Sequence, residues 1–524
     1  MYPQRQGINI QTSSISVRFL RKGLSRSFVG VLLLLIGLMK ASPAQTANPI
    51  PGPDDSFPSA IQSPGAAAQT GSAKSVPAQT EAPEKKISQQ EADRLFRSVD
   101  EILKFASKDT EFPIKAEVKR RLVDRDEVAN YVRQHLTEDE DAQRLRRSEL
   151  VLKKFGLLPN DFDLQSFLIV LLREQVAGYY DPATKTVNLL DWIDAEQQKP
   201  VLAHELTHAL QDQSFSIEKY MKGSLVDLAV AQQPLTAADL QSDEEASAHQ
   251  AVVEGQAMVV LLDYELAPMG QTVLDSPQII TALKDGMLVG TADSPAFKNA
   301  PIYIKETLTF PYRYGLEFEA EVLTKAGKNR AYAGMFRKPP QSSRQIMQPE
   351  TYLADERIPA MPVPDFQRDF KAYDRFDAGA MGEFDVALLI DQYAGVEDSK
   401  NLYPHWRGGY YYAARPKGDS AAPLGVLYVS RWSSAERAAE FAAIYARGLE
   451  QRYKNLHETG QETTSTKSAT YNVQTLAGKH AWLTEQGPVF MDIEGDMVVV
   501  SETLDQTVTE QVEKELFAAT AARE

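Results

Sequence analysis

The chain has 524 residues, a formal charge of −16 and no cysteine. Without thiols there are no disulfides, no thiol nucleophile, no cysteine metal ligand and no lipid-modified cysteine. The acidic balance argues against nucleic acid as a partner, because phosphates need a basic surface. The length points to two or three domains, held by a packed core or a metal.

The first 53 residues contain no Asp or Glu but carry Arg5, Arg18, Arg21, Lys22 and Arg26. An apolar run from Phe28 to Met39 follows, then Ala41-Ser42-Pro43-Ala44. That order reads as a secretory signal peptide over 1–44, so the protein is expected to be exported, periplasmic or secreted. The run falls short of the about 20 residues that cross a bilayer. Membrane contact is expected only if this segment is retained as an anchor. Residues 45–86, rich in Pro, Ala, Gln, Ser and Gly, carry too few large apolar side chains to offset their ordering entropy and read as a disordered linker.

From Ile87 the pattern changes. Leu95, Val99, Ile102, Leu103 and Ala106 recur at helical spacing. A second helix is expected around Val128 to Leu136, with His135 packed or at the surface rather than a ligand. Residues 163–176 contain Phe167-Leu168-Ile169-Val170-Leu171-Leu172 and read as a buried helix. The period then shortens to two: Ala177–Asp181, the turn Pro182-Ala183-Thr184-Lys185, and Thr186–Leu190 form a β-hairpin. Pro200 suits the first turn of the helix that follows, where a missing N–H costs nothing.

That helix carries His204-Glu205-Leu206-Thr207-His208. Histidines at i and i+4 stand one above the other on one helical face, so both imidazoles reach one metal. Glu205 lies beside that metal, where its carboxylate can take a proton from an activated water. A catalytic zinc wants three protein ligands and an open position. The metzincin continuation fails, because Gln211 and Ser214 stand where a glycine and a third histidine are required. The better third ligand is Glu254, in the helical stretch Ser242–Asp263. Its face is shared with Ser247, Gln250, Ala251, Ala257, Met258 and Leu261, and a buried charge there must be paired or bound to a metal. The alternative is an ion pair with an arginine or lysine. Gly255 is costly inside a helix and reads as a small residue that lets the two helices come close. His249 points to another face. Asp243, Glu244 and Glu245 are explained as acids at a helix start. Asp212, one turn past His208, is either a group that orients a histidine or an ordinary solvent-facing Asp.

Beyond residue 365 the texture differs. Gly408–Pro416 and Leu424–Ser430 read as strands and Ser434–Tyr453 as an amphipathic helix. Two further strands are expected around Ala481–Glu485 and Val489–Ser501, and a last helix from Val508. This order suggests a separate α+β domain over 365–524, with a ferredoxin-like sheet as one arrangement. His405, His457 and His480 stand apart and read as structural or surface.

The string His-Glu-Leu-Thr-His-Ala with Asp212 at its offset, together with Val252-Val253-Glu254-Gly255-Gln256-Ala257, resembles the gluzincin zinc metallopeptidases, distantly the thermolysin-like enzymes. The His208–Glu254 gap, about 45 residues, is longer than in thermolysin. The likeness implies a mainly helical zincin-like domain over 87–364. It also implies one zinc ion on His204, His208 and Glu254, Glu205 as general base, and a peptide or protein substrate beside the hairpin. Phe310-Pro311-Tyr312-Arg313-Tyr314-Gly315 and Pro339-Pro340-Gln341-Ser342-Ser343 resemble segments that follow the core in other bacterial HExxH proteins. Tyr312 is a candidate donor to a developing oxyanion. Two rival functions stand beside this one: a non-catalytic exported zinc-containing binding or scaffold protein of the cell envelope, and a metal-dependent hydrolase acting on a non-peptide bond.

Overall fold

The computed structural model describes residues 86–128, 130, 139–175, 178–222, 234–289, 294–459 and 475–521. The expected leader, almost all of the linker, His135 and Ala177 lie outside the described residues. The fold is mixed α+β, with a small three-stranded sheet among helices and a seven-stranded antiparallel sheet.

Helix α1 (Gln89–Thr110) starts at a capping box in which Ser88 and Glu91 satisfy each other's backbone donors. Its buried stripe contains all five residues named from periodicity. Strand β1 (Lys119–Val123) follows, then α2 (Asp139–Lys154) and α3 (Leu164–Gln175). Leu164, Leu168 and Leu171 of α3 are buried while Val170 is exposed, so this helix buries one side and is not enclosed. The expected hairpin is β2 (Tyr179–Asp181) with β3 (Thr186–Leu190), paired antiparallel. Strand β3 is central and wholly buried; β1 joins its other side in parallel, leaving β2 at an edge.

Helix α4 (Gln198–Phe215) carries the HExxH string and is buried continuously from Pro200 to Asp212. A helix buried on all sides is a core helix, and α1 and α6 (Ala237–Leu266) pack on it. Gln198 fastens the start of α4 to the end of β3: Leu190 N–H donates to Oε1 at 2.9 Å and Nε2 donates to Leu190 O at 3.0 Å. After the short α5 (Ile217–Lys222), α6 begins at a Thr236–Asp239 capping box. It starts earlier than expected, so Glu244 is not at the helix end. Glu244 is buried and accepts from the N–H and hydroxyl of Ser343, at 2.9 and 2.7 Å. Helices α7 (Pro277–Val289) and α8 (Ile302–Ala326) complete this half.

Gly255 does permit a close helix approach, but to α8 and not to α4. A Cβ on Gly255 would lie 2.3 Å from Gly315 O, and one on Gly315 would lie 2.3 Å from Ala251 O. Two glycines at one crossing let the backbones touch, and this seats Tyr312, one turn before Gly315, against the HExxH helix.

The large sheet contains β4 (Tyr373–Ala380), β5 (Trp406–Pro416), β6 (Gly425–Trp432), β7 (His457–Glu458), β8 (Gly478–Thr484), β9 (Gly487–Glu494) and β10 (Met497–Glu502). Their order is β4-β5-β6-β10-β9-β8-β7. Every strand lies beside a sequence neighbour except where β6 meets β10, so the sheet is a pair of meanders and lacks the interleaving of a ferredoxin-like sheet. The stretch 489–501, expected as one strand, is a hairpin turning at Gly495-Asp496. Alternate residues serve two layers. Tyr411, Val426, Tyr428, Val498 and Val500 join the core that includes α9 (Glu383–Ala394) and α11 (Ala435–Arg452). Tyr410, Tyr412, Val429 and Val499 join Val508, Val512 and Leu516 of α12 (Gln506–Ala521). Between α9 and β5 runs α10 (Val396–Leu402).

Candidate metal centre

His204 and His208 project from α4 toward α6, where Glu254 meets them. His204 Nε2 lies 3.1 Å from Glu254 Oε2, His208 Nε2 lies 3.4 Å from the same oxygen, and the two Nε2 atoms are 3.0 Å apart. Among the described residues these three side chains form a group suited to a metal ion. Ligands at the usual 2.0–2.1 Å from a tetrahedral zinc stand about 3.3 Å from one another. The triangle has that size, so the donor set fits the ion implied by the sequence motif.

Second partners fix which atoms face inward. Gln256 Nε2 donates to the carbonyls of Ala331 and Tyr332, at 2.8 and 3.2 Å, which turns its amide oxygen toward Gln211. Gln211 Nε2 donates to that oxygen at 2.9 Å and to Val253 O at 3.0 Å. Gln211 Oε1 is thereby an acceptor only, and His208 Nδ1–H donates to it at 2.9 Å. The proton on Nδ1 frees the Nε2 lone pair for the centre. Sequence reasoning noted Gln211 only as a failed metzincin position and Gln256 only as part of the Glu254 string, with no role for either; two glutamines on buried helices were the available signal.

Glu205 stands beside this group on the hairpin side. Tyr180 N–H donates to its Oε2 at 2.8 Å, while Oε1 is buried with no hydrogen-bond partner among the described residues. Burial pushes the Glu205 carboxyl well above its usual range, with Glu254 adding to the shift and His208 opposing it. The same N–H is the outward donor of edge strand β2, so a peptide added to this edge meets one donor already committed.

Asp212 neither faces solvent nor orients a histidine. Its Oδ2 accepts from the Tyr180 hydroxyl at 2.8 Å and from Lys185 Nζ at 2.6 Å, strapping the hairpin to α4. His249 Nδ1–H donates to Tyr220 O and the imidazole stacks on the Tyr220 ring, away from the triangle. His405 pairs with Ser433 Oγ and His480 with Glu458, both outside the centre. Tyr312 does reach it: its ring centroid is 6.2 Å from that of His204. Burial, then Glu254 and Glu205, raise its hydroxyl well above the ordinary tyrosine range, so it keeps its proton.

Charge among these side chains is shared unevenly. Burial lowers His204 to about 4. Burial acts the same way on His208, but the Glu254 carboxylate more than offsets it and raises His208 to about 9. Burial opposes ionisation of Glu254, yet the two histidines hold it at about 2. Glu254 is thus ionised and His208 carries the compensating proton, the position a divalent cation would take over. His204, Glu205, His208 and Glu254 are each 0–1 % exposed.

No protein family, curated protein or solved structure matches the chain.

Proposed function

We propose that this protein is an exported zinc-dependent metallopeptidase of gluzincin type, with His204, His208 and Glu254 holding one zinc ion and Glu205 as general base. The observation that carries this reading is the zinc-sized triangle of donor atoms with an unpartnered Glu205 oxygen beside it. A bound zinc supplies Lewis acidity, polarising a substrate carbonyl and lowering the pKa of water. Glu205, anchored through Oε2 by Tyr180, takes the proton of the attacking water at Oε1. Its burial favours holding that proton until the leaving amine accepts it. The protonated Tyr312 hydroxyl donates to the oxyanion that develops. The zincin-like character of residues 87–364, peptide substrates aligned along β2, and export belong to the same reading. They rest on the motif resemblance and on the N-terminal leader pattern.

The test is zinc content and hydrolysis of an unfolded protein substrate, wild type beside Glu205→Gln. The variant should keep about one zinc while kcat falls by about 10²–10⁴. Unimpaired turnover in Glu205→Gln overturns the assignment. A second reading is favoured by the near-complete burial of the four side chains: a closed structural zinc in a non-catalytic binding or scaffold protein of the envelope. Stoichiometric zinc with no hydrolysis of peptides, small esters or amides by the wild type selects it.

A further inference from the structure

A second feature lies apart from the metal centre and shares no residue with it. A cleft of about 790 Å³ opens where the end of α2 and the loop after it meet α9, α11 and the β5–β6 turn. Its volume is in the range of small-molecule sites, about 300–1,000 Å³. Its lining includes Lys153, Lys154, Arg415 and Arg452 and no aspartate or glutamate. In a chain of net charge −16 such a wall is not what composition predicts. Leu157 and Leu424 add apolar surface.

The charges behind this wall do not balance. Lys154 and Arg452 have side chains only 6 % and 8 % exposed, and both turn to one carboxylate, Glu502. Arg452 holds it at 2.8 Å, while Lys154 Nζ stands 4.0 Å away and donates to Gln486 Oε1 at 2.9 Å and Thr503 Oγ1 at 2.8 Å. Glu502 is already occupied further by the hydroxyls of Tyr445 and Tyr453. Two buried cations thus lie on one buried carboxylate, with Glu485 the other acid acting on Lys154, and neither cation has a carboxylate facing it from the cleft side, whose lining holds no acid. Burial pulls the Lys154 ammonium down to about 8 despite Glu502, as an incompletely neutralised lysine should be. Lys153 is paired with Glu149, but Arg415 has no carboxylate within ion-pair distance among the described residues, its guanidinium donating to Ser420 O. The Nε–H donors of Arg415 and Arg452 are buried and unpartnered among the described residues. Gly156 keeps the place open: at φ +71, a Cβ there would lie 2.1 Å from the Tyr393 hydroxyl and 2.8 Å from Arg452 Cδ.

We propose that this cleft is a binding site for a small organic anion, one carboxylate or phosphate group on a short apolar body. The anionic group sits among Lys154, Arg415 and Arg452, and the apolar part lies on Leu157 and Leu424. Guanidinium groups suit both anions because their planar N–H fork matches carboxylate and phosphate oxygens.

The experiment is calorimetric titration of the full chain with hexanoate, hexyl phosphate and hexylammonium. One equivalent of hexanoate or hexyl phosphate should bind, hexylammonium should not, and Arg415→Ala should weaken the anion by roughly tenfold or more. Lys154→Gln should do the same; if that variant does not fold, Arg415→Ala, at a half-exposed position, carries the test. Whichever of the two anions binds more tightly identifies the group recognised. No binding up to about 10 mM, equal binding of hexylammonium, or full affinity in Arg415→Ala overturns the proposal. Zinc content and hydrolysis report separately on the metal centre, so the two readings fail independently.

Discussion

Glu254 and Glu502 are both carboxylates at 1 % exposure, and both are held ionised against the effect of burial. Their partners differ in kind. Glu502 accepts from Arg452, Tyr445 and Tyr453, groups that keep their protons across the physiological range. Glu254 faces two imidazoles, whose lone pairs can be presented to a cation in place of a proton. A buried acid saturated by permanent donors knits elements together. The same acid among exchangeable ones is a place where an ion can enter, and the comparison separates structure from chemistry without reference to a motif.

The sharpest way to break it is to remove each acid. Glu254→Ala should lose the metal, from about one zinc per chain to near none by mass spectrometry, and all activity with it. Glu502→Gln should leave metal content unchanged but strand Arg452 and Lys154, costing about 3–5 kcal/mol in denaturant unfolding. Zinc retained in Glu254→Ala, or lost in Glu502→Gln, would collapse the distinction. A smaller effect follows from the amide chain behind His208. Gln211→Leu should weaken zinc by about 10–100-fold, and nitrogen NMR should show the Nδ1 proton of His208 no longer fixed. An unchanged tautomer would mean that Gln211 is packing alone. The mildest effect is on pH. With His208 raised to about 9 and His204 lowered to about 4, His208 is the one of the two histidines with a proton to lose at neutral pH. Zinc binding near about pH 7 should therefore release about one proton, and apparent affinity should rise about tenfold per pH unit up to about pH 9 and then level off. Calorimetry in buffers of different ionisation heat reads that proton directly.

The three side chains of the candidate centre were legible in the sequence because their geometry is local or nearly so. His204 and His208 are fixed by the helical repeat, and Glu254 betrays itself as a charge on an apolar stripe. Gln211 and Gln256 were not, since their pairing requires α4 and α6 to be placed side by side, which only packing decides. Asp212 was misread for the same reason: Tyr180 and Lys185, brought over it by the hairpin, claim its oxygen. In the fold, strands with dense β-branched and aromatic residues were found and weakly patterned ones were missed. Strand β1, Lys-Arg-Arg-Leu-Val, has only its last residue buried, and its three basic residues followed by two apolar ones give no hydropathy alternation to detect. The Gly495-Asp496 turn was hidden because the residues on both sides are apolar enough to read as one strand.

The closure of the centre sets a clock as well as an affinity. With all three side chains at 0–1 % exposure, a chelator, like a substrate carbonyl, reaches an ion held there only when α4 and α6 part or the hairpin strapped to α4 lifts, so chelation and hydrolysis share one opening step. Loss of metal to a chelator then proceeds at the rate of that opening and is indifferent to chelator concentration.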